Sequence, residues 1–336
     1  MSLWLPTAPC TPQGCATHPR RHRGRIAAAA RLAAGTAAVL AGILLAPPTA
    51  LLGTAVRRRM TRLWARTVLR AFGVRLRISG EKAADAPAPH ASLVVANHVS
   101  WLDIPLIAAA LPGRMLAKSE VRAWPLLGPL AALGGTLFID RDRLRTLPGT
   151  VAAMAGALRH GDRVIAFPEG STWCGRGHGR FRPAVFQAAL DAGAAVQPAR
   201  IAYTPTGAAA FVGDDPLPAS LWRVAAAGGI TAELTLLPHV PPGALPDRRA
   251  LAEAVQRAVA PRAAGSGYDG GSFPRPSPCA PGAPATCNKG QAPRPPVRPS
   301  AVSSIAGQAH LNRPFEARGR THSSPAGVPP DGVWGS

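Results

Sequence analysis

Aromatic residues are scarce in this 336-residue sequence, where Phe, Trp and Tyr together make up 5%. Acidic residues are also few: 17 Asp and Glu stand against 38 Lys and Arg, and the formal net charge is +21. Such a charge indicates a polyanionic partner, either nucleic acid or an anionic membrane surface. Single-stranded nucleic acid is bound by aromatic side chains interleaved with basic ones. The sequence has no such stretch, so we expect no nucleic-acid partner and favour the membrane surface.

Cysteines are few as well, and their number and spacing do not match the patterns of zinc sites or disulfide frameworks. There are five of them, an odd count, and no CxxC pair. We therefore predict neither a zinc site nor a disulfide framework, and a reducing compartment fits best. Cys174 is interpreted as an ordinary polar-loop cysteine, because no base is assigned beside it.

Charge is nearly absent from residues 26–56, where only Arg31 is charged. Residues 26–46 supply the ~20 apolar residues that a spanning helix needs. Pro47 and Pro48 divide the stretch and both flanks are basic, which also fits a helical hairpin that enters one leaflet and returns. A cleaved signal peptide fits least, because the stretch starts late and three arginines follow it. A buried alanine-rich helix is the remaining alternative.

The remaining sequence alternates between two patterns. Residues 61–72 predict a basic amphipathic helix, which lies on lipid headgroups or forms a solvated face. Strand-like and helix-like segments then alternate, which predicts an α/β fold: a single domain with a mixed, largely parallel sheet flanked by helices. The predicted strands are 74–79, 92–96, 114–117, 136–139, 163–167, 195–202 and 231–237, and the predicted helices are 104–111, 124–133, 146–159, 182–192 and 247–260.

These patterns divide the sequence into four segments. Residues 1–25 are predicted to be a disordered basic N-terminus. Residues 26–60 form a transmembrane helix or a re-entrant helical hairpin, and residues 61–261 form the α/β domain. Residues 262–336 are rich in Pro, Gly and Arg without hydrophobic periodicity, so we expect a disordered tail there.

The segment richest in chemistry is Asn97-His98-Val99-Ser100-Trp101-Leu102-Asp103. A buried strand delivers His98, whose imidazole can accept a proton from a hydroxyl near neutral pH. Asp103 can hydrogen-bond the other ring nitrogen, as in the His–Asp half of a serine protease triad. No protein serine is needed if the substrate's own hydroxyl is the nucleophile. Two alternatives stay open: Ser100 and Asp103 form a capping box, or Asp103 caps a helix that begins at Ile104.

Three more segments follow this one in order. They are Gly135-x-x-Phe138-Ile139-x-Arg141, then Phe167-Pro168-Glu169-Gly170-Ser171-Thr172, then Val196-Gln197-Pro198-Ala199-Arg200-Ile201. Together the four blocks resemble the glycerolipid acyltransferase family, which includes lysophosphatidic acid (1-acyl-sn-glycerol-3-phosphate) acyltransferases, over roughly residues 61–260. The sequence departs from that family in the third block, where the usual basic residue is displaced to Arg176 or beyond.

The resemblance implies a membrane-associated O-acyltransferase of phospholipid biosynthesis. Such an enzyme moves a fatty acyl group from acyl-CoA or acyl-carrier protein to the sn-2 hydroxyl of 1-acylglycerol-3-phosphate, a lysophospholipid, and yields phosphatidic acid. It implies His98 and Asp103 as the catalytic pair, and no metal or other cofactor. Because thioester donors are cytosolic, we expect the protein in the cell membrane with its catalytic domain on the cytoplasmic face.

The resemblance also implies a binding site for the acceptor. Arg141 would meet the anionic headgroup with its guanidinium fork, although it could equally be a surface arginine. Glu169, Gly170 and Ser171 would hold the acceptor beside a buried strand, or else form only a turn. Lys118 would also contact phosphate.

Two other functions remain open from the sequence. One is acylation of another lysolipid, such as a lyso-ornithine lipid. The other is a non-catalytic, membrane-tethered basic module that binds lipid or nucleic acid, whose binding would survive the loss of His98 and depend steeply on salt.

Overall fold

The computed structural model describes residues 8–16, 22–80, 91–125 and 127–260. The predicted tail 262–336 lies outside the described residues, as does part of the N-terminal segment 1–25. The helices of the described residues are α1 Pro12–Cys15, α2 Arg25–Ala50, α3 Thr54–Ala71, α4 Asp103–Ala110, α5 Leu127–Leu133, α6 Leu147–Arg159, α7 Ala184–Ala192, α8 Thr206–Ala209, α9 Leu217–Ala226 and α10 Arg248–Val259. The strands are β1 Val74–Gly80, β2 Ser92–Ala96, β3 Arg114–Lys118, β4 Leu137–Ile139, β5 Val164–Ala166, β6 Ala195–Thr204 and β7 Ile230–Leu236.

The strands form one seven-stranded sheet in the order β1-β7-β6-β2-β5-β3-β4. Neighbouring strands are parallel except β6 and β7, which are antiparallel. The predicted mixed, largely parallel sheet flanked by helices is therefore confirmed. Because β6, β2, β5, β3 and β4 all point the same way, the loops after these strands emerge at one edge of the sheet. We call it the carboxyl edge.

Strand β2 shows why the sheet is covered on both faces. All five of its residues are buried. Successive side chains of a strand point to opposite faces. Val94 and Ala96 join a core with helices α3 and α4, whereas Leu93 and Val95 join a second core with α6, α7 and α10. A run of consecutive apolar residues is the expected sequence of such a doubly covered parallel strand.

The apolar N-terminal stretch forms a helical hairpin whose break lies later than predicted. Helix α2 continues through Pro47 and Pro48, and the turn before α3 falls at residues 51–53. The two prolines lie in the last turns of α2. Because proline has no amide hydrogen to donate, the helix loses hydrogen bonds there and ends soon after. Helix α3 begins at Thr54, seven residues before the predicted amphipathic helix.

Glycines let the two helices of the hairpin approach closely. A Cβ atom on Gly35 would lie 2.4 Å from the ring of Phe72, and one on Gly42 would lie 2.3 Å from Trp64 Nε1. Trp64 Nε1 donates a hydrogen bond of 2.9 Å to the carbonyl of Ala38. Within the described residues, one helix, Arg25–Thr49, has the length and apolar composition needed to cross a membrane.

Candidate active site

Residue Asn97 extends the pairing of β2 and β6 by one step and so fixes where the next residue lies. Its Nδ2 donates to the carbonyl of Ile201 at 2.9 Å, and its Oδ1 accepts from the Ile201 amide at 2.8 Å. The side-chain amide thus replaces one rung of the ladder between parallel strands. His98 therefore leaves the sheet at the carboxyl edge from a rigid position.

The imidazole of His98 is held on two sides. Its Nδ1 lies 2.7 Å from Asp103 Oδ2. The ring stacks on Phe167, with ring centroids 4.1 Å apart and planes 14° apart. The side chain of His98 is 21% exposed, whereas that of Asp103 is fully buried. With Nδ1 facing the carboxylate, Nε2 is the ring nitrogen left for chemistry.

The carboxylate of Asp103 also organises the loop before it. Oδ2 accepts hydrogen bonds from the amides of Val99 at 2.7 Å and Ser100 at 2.9 Å. Ser100 Oγ accepts from the Leu102 amide at 3.3 Å. Helix α4 begins at Asp103 with Leu102 as its N-cap and without a side-chain cap, so neither capping alternative forms as predicted. The same oxygen atom of Asp103 instead binds the loop and the imidazole.

A residue that sequence reasoning missed completes this group. Tyr203 Oη donates to Asp103 Oδ1 at 2.5 Å from strand β6. Burial, and then the charge of Asp103, raise the pKa of Tyr203 well above its usual value, so the phenol stays protonated and keeps donating. The available signal was a tyrosine two residues beyond Ile201, on the same face of β6. Its partner is 100 residues away in sequence and was not visible there.

Both carboxylate oxygens of Glu169 contact the backbone. Its Oε2 accepts from the backbone amide of His98 at 2.7 Å, and its Oε1 accepts from the amide of Gly179 at 3.0 Å. Burial raises the pKa of Glu169 to about 7, although both amides act in the opposite direction. Glu169 therefore holds the His98 loop, and its contact with an acceptor hydroxyl stays a prediction. Together His98, Asp103, Tyr203 and Glu169 form what we call the His98 group.

Three further predicted residues meet beside this group. Gly170 has φ +76°, which lets the loop turn after β5. Its carbonyl accepts a hydrogen bond from Arg141 Nη1, which reaches over from the end of β4. Burial lowers the pKa of Arg141, and the charge of Glu120 opposes that shift. Ser171 Oγ is buried and has no hydrogen-bond partner within the described residues. We call Arg141, Gly170 and Ser171 the Arg141 group.

Two basic residues lie apart from these groups. Lys118 ends strand β3 at the carboxyl edge, but its Nζ lies over the ring of Trp124, 5.8 Å from the centroid. Arg176 Nη2 donates to the carbonyl of Gly14 at 3.1 Å, on the N-terminal segment. The displaced basic residue of the third block is therefore turned toward residues 8–16.

Comparison with known proteins decides the family. A family model named Acyltransferase matches residues 75–202. The chain is 40% identical over 215 residues to the lyso-ornithine lipid O-acyltransferase of Pseudomonas aeruginosa, covering 61% of this chain and 79% of that protein. This chain belongs to the acyltransferase family. It is also 35% identical over 175 residues to the 1-acyl-sn-glycerol-3-phosphate acyltransferase of Neisseria gonorrhoeae, covering 51% of this chain and 69% of that protein.

A solved structure supports the fold independently. The 1-acyl-sn-glycerophosphate (LPA) acyltransferase PlsC of Thermotoga maritima matches with a TM-score of 0.55 and 19% identity, covering 70% of this chain and 92% of that chain. At this identity the likeness shows the fold alone. The resemblance of the four blocks to glycerolipid acyltransferases is confirmed by the relatives. Membership in this family does not favour the alternative of a non-catalytic binding module.

Proposed function

We propose that this acyltransferase transfers a fatty acyl group from acyl-CoA or acyl-carrier protein to the sn-2 hydroxyl of 1-acylglycerol-3-phosphate, with His98 as the general base. The observation that carries the proposal is the 2.7 Å contact between His98 Nδ1 and a fully buried carboxylate. That contact fixes the tautomer whose Nε2 carries a lone pair.

The reaction needs one proton to be moved twice. Nε2 of His98 takes the proton of the acceptor hydroxyl as the oxygen attacks the thioester carbonyl. When the tetrahedral intermediate collapses, the carbon–sulfur bond breaks and the imidazolium returns the proton to the leaving thiolate. The products are phosphatidic acid and a free thiol. The reaction as proposed uses no metal or redox cofactor.

Three neighbours position the base. Asp103 holds Nδ1 and stabilises the imidazolium that forms during attack. Tyr203 and the two loop amides hold that carboxylate in place by donating hydrogen bonds to it. Glu169 fixes the backbone of His98, so the ring is held from the main chain as well as from its side chain.

The Arg141 group supports an anionic acceptor. Within the described residues, Arg141 makes one hydrogen bond, from Nη1 to the Gly170 carbonyl, and a guanidinium has five donors. A phosphate of the acceptor would bind the remaining donors in a forked geometry. The unpartnered Ser171 Oγ lies in the same loop and suits a glycerol or phosphate oxygen. Lys118 would add a second positive charge at the carboxyl edge once its side chain leaves Trp124.

A lyso-ornithine lipid is the second candidate acceptor. The 40% identical relative carries that name. Arg176, which would otherwise supply a second cation beside a doubly charged phosphate, is turned toward Gly14. An ornithine carboxylate carries a single negative charge and needs only one guanidinium.

The α2–α3 hairpin supports membrane attachment on the cytoplasmic side. Its tip exposes large apolar side chains: Leu44 is 76% exposed, Leu51 89% and Val56 50%. Basic residues of α3 follow, which favour an anionic cytoplasmic leaflet. In intact right-side-out cells, external protease should leave the α/β domain whole. Cleavage within that domain would place it on the other face.

The proposal is tested by acyl transfer in membranes that contain the wild type, His98→Ala or His160→Ala. Radiolabelled acyl-CoA and acyl-carrier protein serve as donors, and lysophosphatidic acid and lyso-ornithine lipid are offered separately. The rate should fall about 10³-fold in His98→Ala, while the exposed control His160→Ala keeps wild-type turnover. Product from lysophosphatidic acid supports the first acceptor, and product from lyso-ornithine lipid alone supports the second. Wild-type turnover by His98→Ala would refute the mechanism.

A further inference from the structure

Three cysteines that are far apart in the sequence meet at one point of the fold. Cys10, Cys15 and Cys174 place their Sγ atoms within 4.8 Å of one another. Cys174 is buried, and the other two are partly buried. We call these residues the thiol cluster. Sequence patterns did not predict the cluster, because two of its members lie in a segment predicted to be disordered and the third lies in the loop after β5.

The N-terminal half of the cluster is built by a closed turn. Pro12 begins the four-residue helix α1, and Thr11 caps it by accepting the Gly14 amide on Oγ1 at 3.2 Å. The Cys15 amide then donates to the Thr11 carbonyl at 2.9 Å. This turn brings Cys10 and Cys15 to the same side without help from Cys174.

The other half is a tight turn in the loop after β5. Gly175 has φ +77°, which lets the loop turn directly after Cys174, and a Cβ atom there would lie 2.7 Å from Thr206 Cγ2. The Sγ atom of Cys174 thereby lies within 4.8 Å of those of Cys10 and Cys15.

Helix α1 of the N-terminal segment contributes little to the apolar core, because none of its residues is buried. Arg176 Nη2 donates to the carbonyls of Gly14 at 3.1 Å and of Cys15 at 3.5 Å. Ordering a chain segment costs conformational entropy. A bond at the thiol cluster that is stronger than these contacts would account for the position of residues 8–16.

We propose that the thiol cluster binds one zinc ion, which fastens residues 8–16 to the loop after β5. Zinc–sulfur bonds of about 2.3 Å in a tetrahedron put sulfur atoms about 3.8 Å apart, so the cluster needs only a small contraction. Three thiolates and Zn²⁺ leave one negative charge, which the guanidinium of Arg176 offsets. Water takes the fourth position, because no further His, Cys, Asp or Glu of the described ranges joins the group.

The bound zinc would also stabilise the active site from a distance. The loop that carries Cys174 also carries Trp173, whose amide donates to the His98 carbonyl at 2.7 Å. Glu169 of the same loop holds the His98 amide. The ion has no part in the acyl transfer itself, so the inference stands or falls separately from the proposed reaction.

The test is the metal content of the full chain, purified in detergent without chelator after growth with zinc. We expect about one zinc per chain in the wild type and less than about a tenth of that in Cys174→Ser and in Cys10→Ser. The double variant Cys279→Ser/Cys287→Ser is the matched control and should keep its zinc. Loss of zinc from that control, or a wild type without zinc, would overturn the assignment. A Cys10–Cys15 or Cys10–Cys174 disulfide in protein purified without reductant would overturn it too.

A second measurement needs no variant and so does not depend on a variant's folding. A mercurial reagent is titrated into the wild type while a colorimetric chelator reports released zinc. Zinc release that rises in proportion to the modification of three thiols supports zinc binding by the cluster. Zinc release without thiol modification contradicts it. Replacement by Co²⁺ should add a sulfur-to-metal charge-transfer band, which Cys174→Ser should lack.

Discussion

The carboxyl edge of the sheet carries two groups of polar side chains that differ in how many of their atoms already have partners. In the His98 group, both oxygens of Asp103 and of Glu169 accept hydrogen bonds from the protein. In the Arg141 group, Ser171 Oγ has no partner in the described part of the chain, and Arg141 shows a single bond. The groups are nevertheless joined, because Glu169, Gly170 and Ser171 follow one another in one loop.

The difference indicates which part of the reaction the protein prepares in advance. Catalytic groups gain most when they are held in place before the substrate arrives, because no reorganisation is then needed during the reaction. Groups that bind a headgroup must keep donors available until the ligand supplies acceptors. We therefore expect substitutions in the His98 group to act on turnover and substitutions in the Arg141 group to act on acceptor affinity.

Of the variants that test this comparison, Asp103→Asn should have the largest effect, a loss of turnover. The Val99 and Ser100 amides would keep the oxygen of the Asn side chain facing His98, but a neutral amide no longer stabilises the imidazolium that forms during attack. We expect turnover to fall about a hundredfold or more, with the protein still in the membrane fraction. Acyl-transfer rates and membrane fractionation check this. Turnover close to that of the wild type would remove the dyad from the mechanism.

The next largest effect is expected from Arg141→Ala, which removes the fork that would bind the acceptor. Hydrogen bonds to charged groups contribute about 1.5–3 kcal/mol, so the KM for the acceptor should rise about tenfold to a hundredfold. Arg141→Lys keeps the positive charge but lacks the forked donors, so its KM for the acceptor should lie between those of the wild type and Arg141→Ala. The exposed neighbour Arg143 provides the control, since Arg143→Ala should change little. An equal rise in that control would assign the effect to overall charge.

A smaller effect should follow from Tyr203→Phe, which removes the donor to Asp103 Oδ1. Asp103 then loses one of the groups that hold it against His98, so the imidazole is positioned less firmly. The kcat should drop about threefold to tenfold, while the KM for the acceptor stays nearly unchanged. Steady-state acyl-transfer kinetics measure both constants, and a wild-type kcat would mean that Tyr203 only fills space.

The last effect is on stability rather than on catalysis, and it concerns Glu169. Burial raises its pKa from 4.5 to about 7. A folded-state pKa above the unfolded value means that the contribution is complete below pH 4.5 and is lost as pH rises through 7. Between pH 5 and pH 8 the wild type should lose on the order of 1–3 kcal/mol more than Glu169→Gln. Thermal unfolding of both proteins in detergent measures this, and parallel losses would contradict it.

Sequence reasoning found the sheet because its strands are short apolar runs between turn residues. Strand β2 was predicted with the bounds that the structure has, since a fully buried strand has an unbroken apolar sequence. Helix α9 was not predicted, and its segment carries a buried ion pair between Arg223 and Asp215 that is visible only in three dimensions. The hairpin turn was predicted too early, at Pro47 and Pro48, because prolines in the last turns of a helix do not end it at once.

The site was predictable where its parts lie close together in sequence. His98 and Asp103 are five residues apart, so their contact could be inferred from the loop and the helix after it. Tyr203 and the thiol cluster depend on contacts between residues that are a hundred or more positions apart, which a single sequence does not reveal. The type of residue at position 169 was informative, but its partners, two backbone amides, carry no sequence signal.

The most direct test of the account measures kcat and the acceptor KM for Asp103→Asn and Arg141→Ala side by side, with the same donor and acceptor. We predict that Asp103→Asn lowers kcat and leaves KM almost unchanged. We predict that Arg141→Ala raises KM and changes kcat much less. If both variants alter the same parameter to the same extent, the His98 and Arg141 groups act as one unit and the division of labour proposed here is wrong.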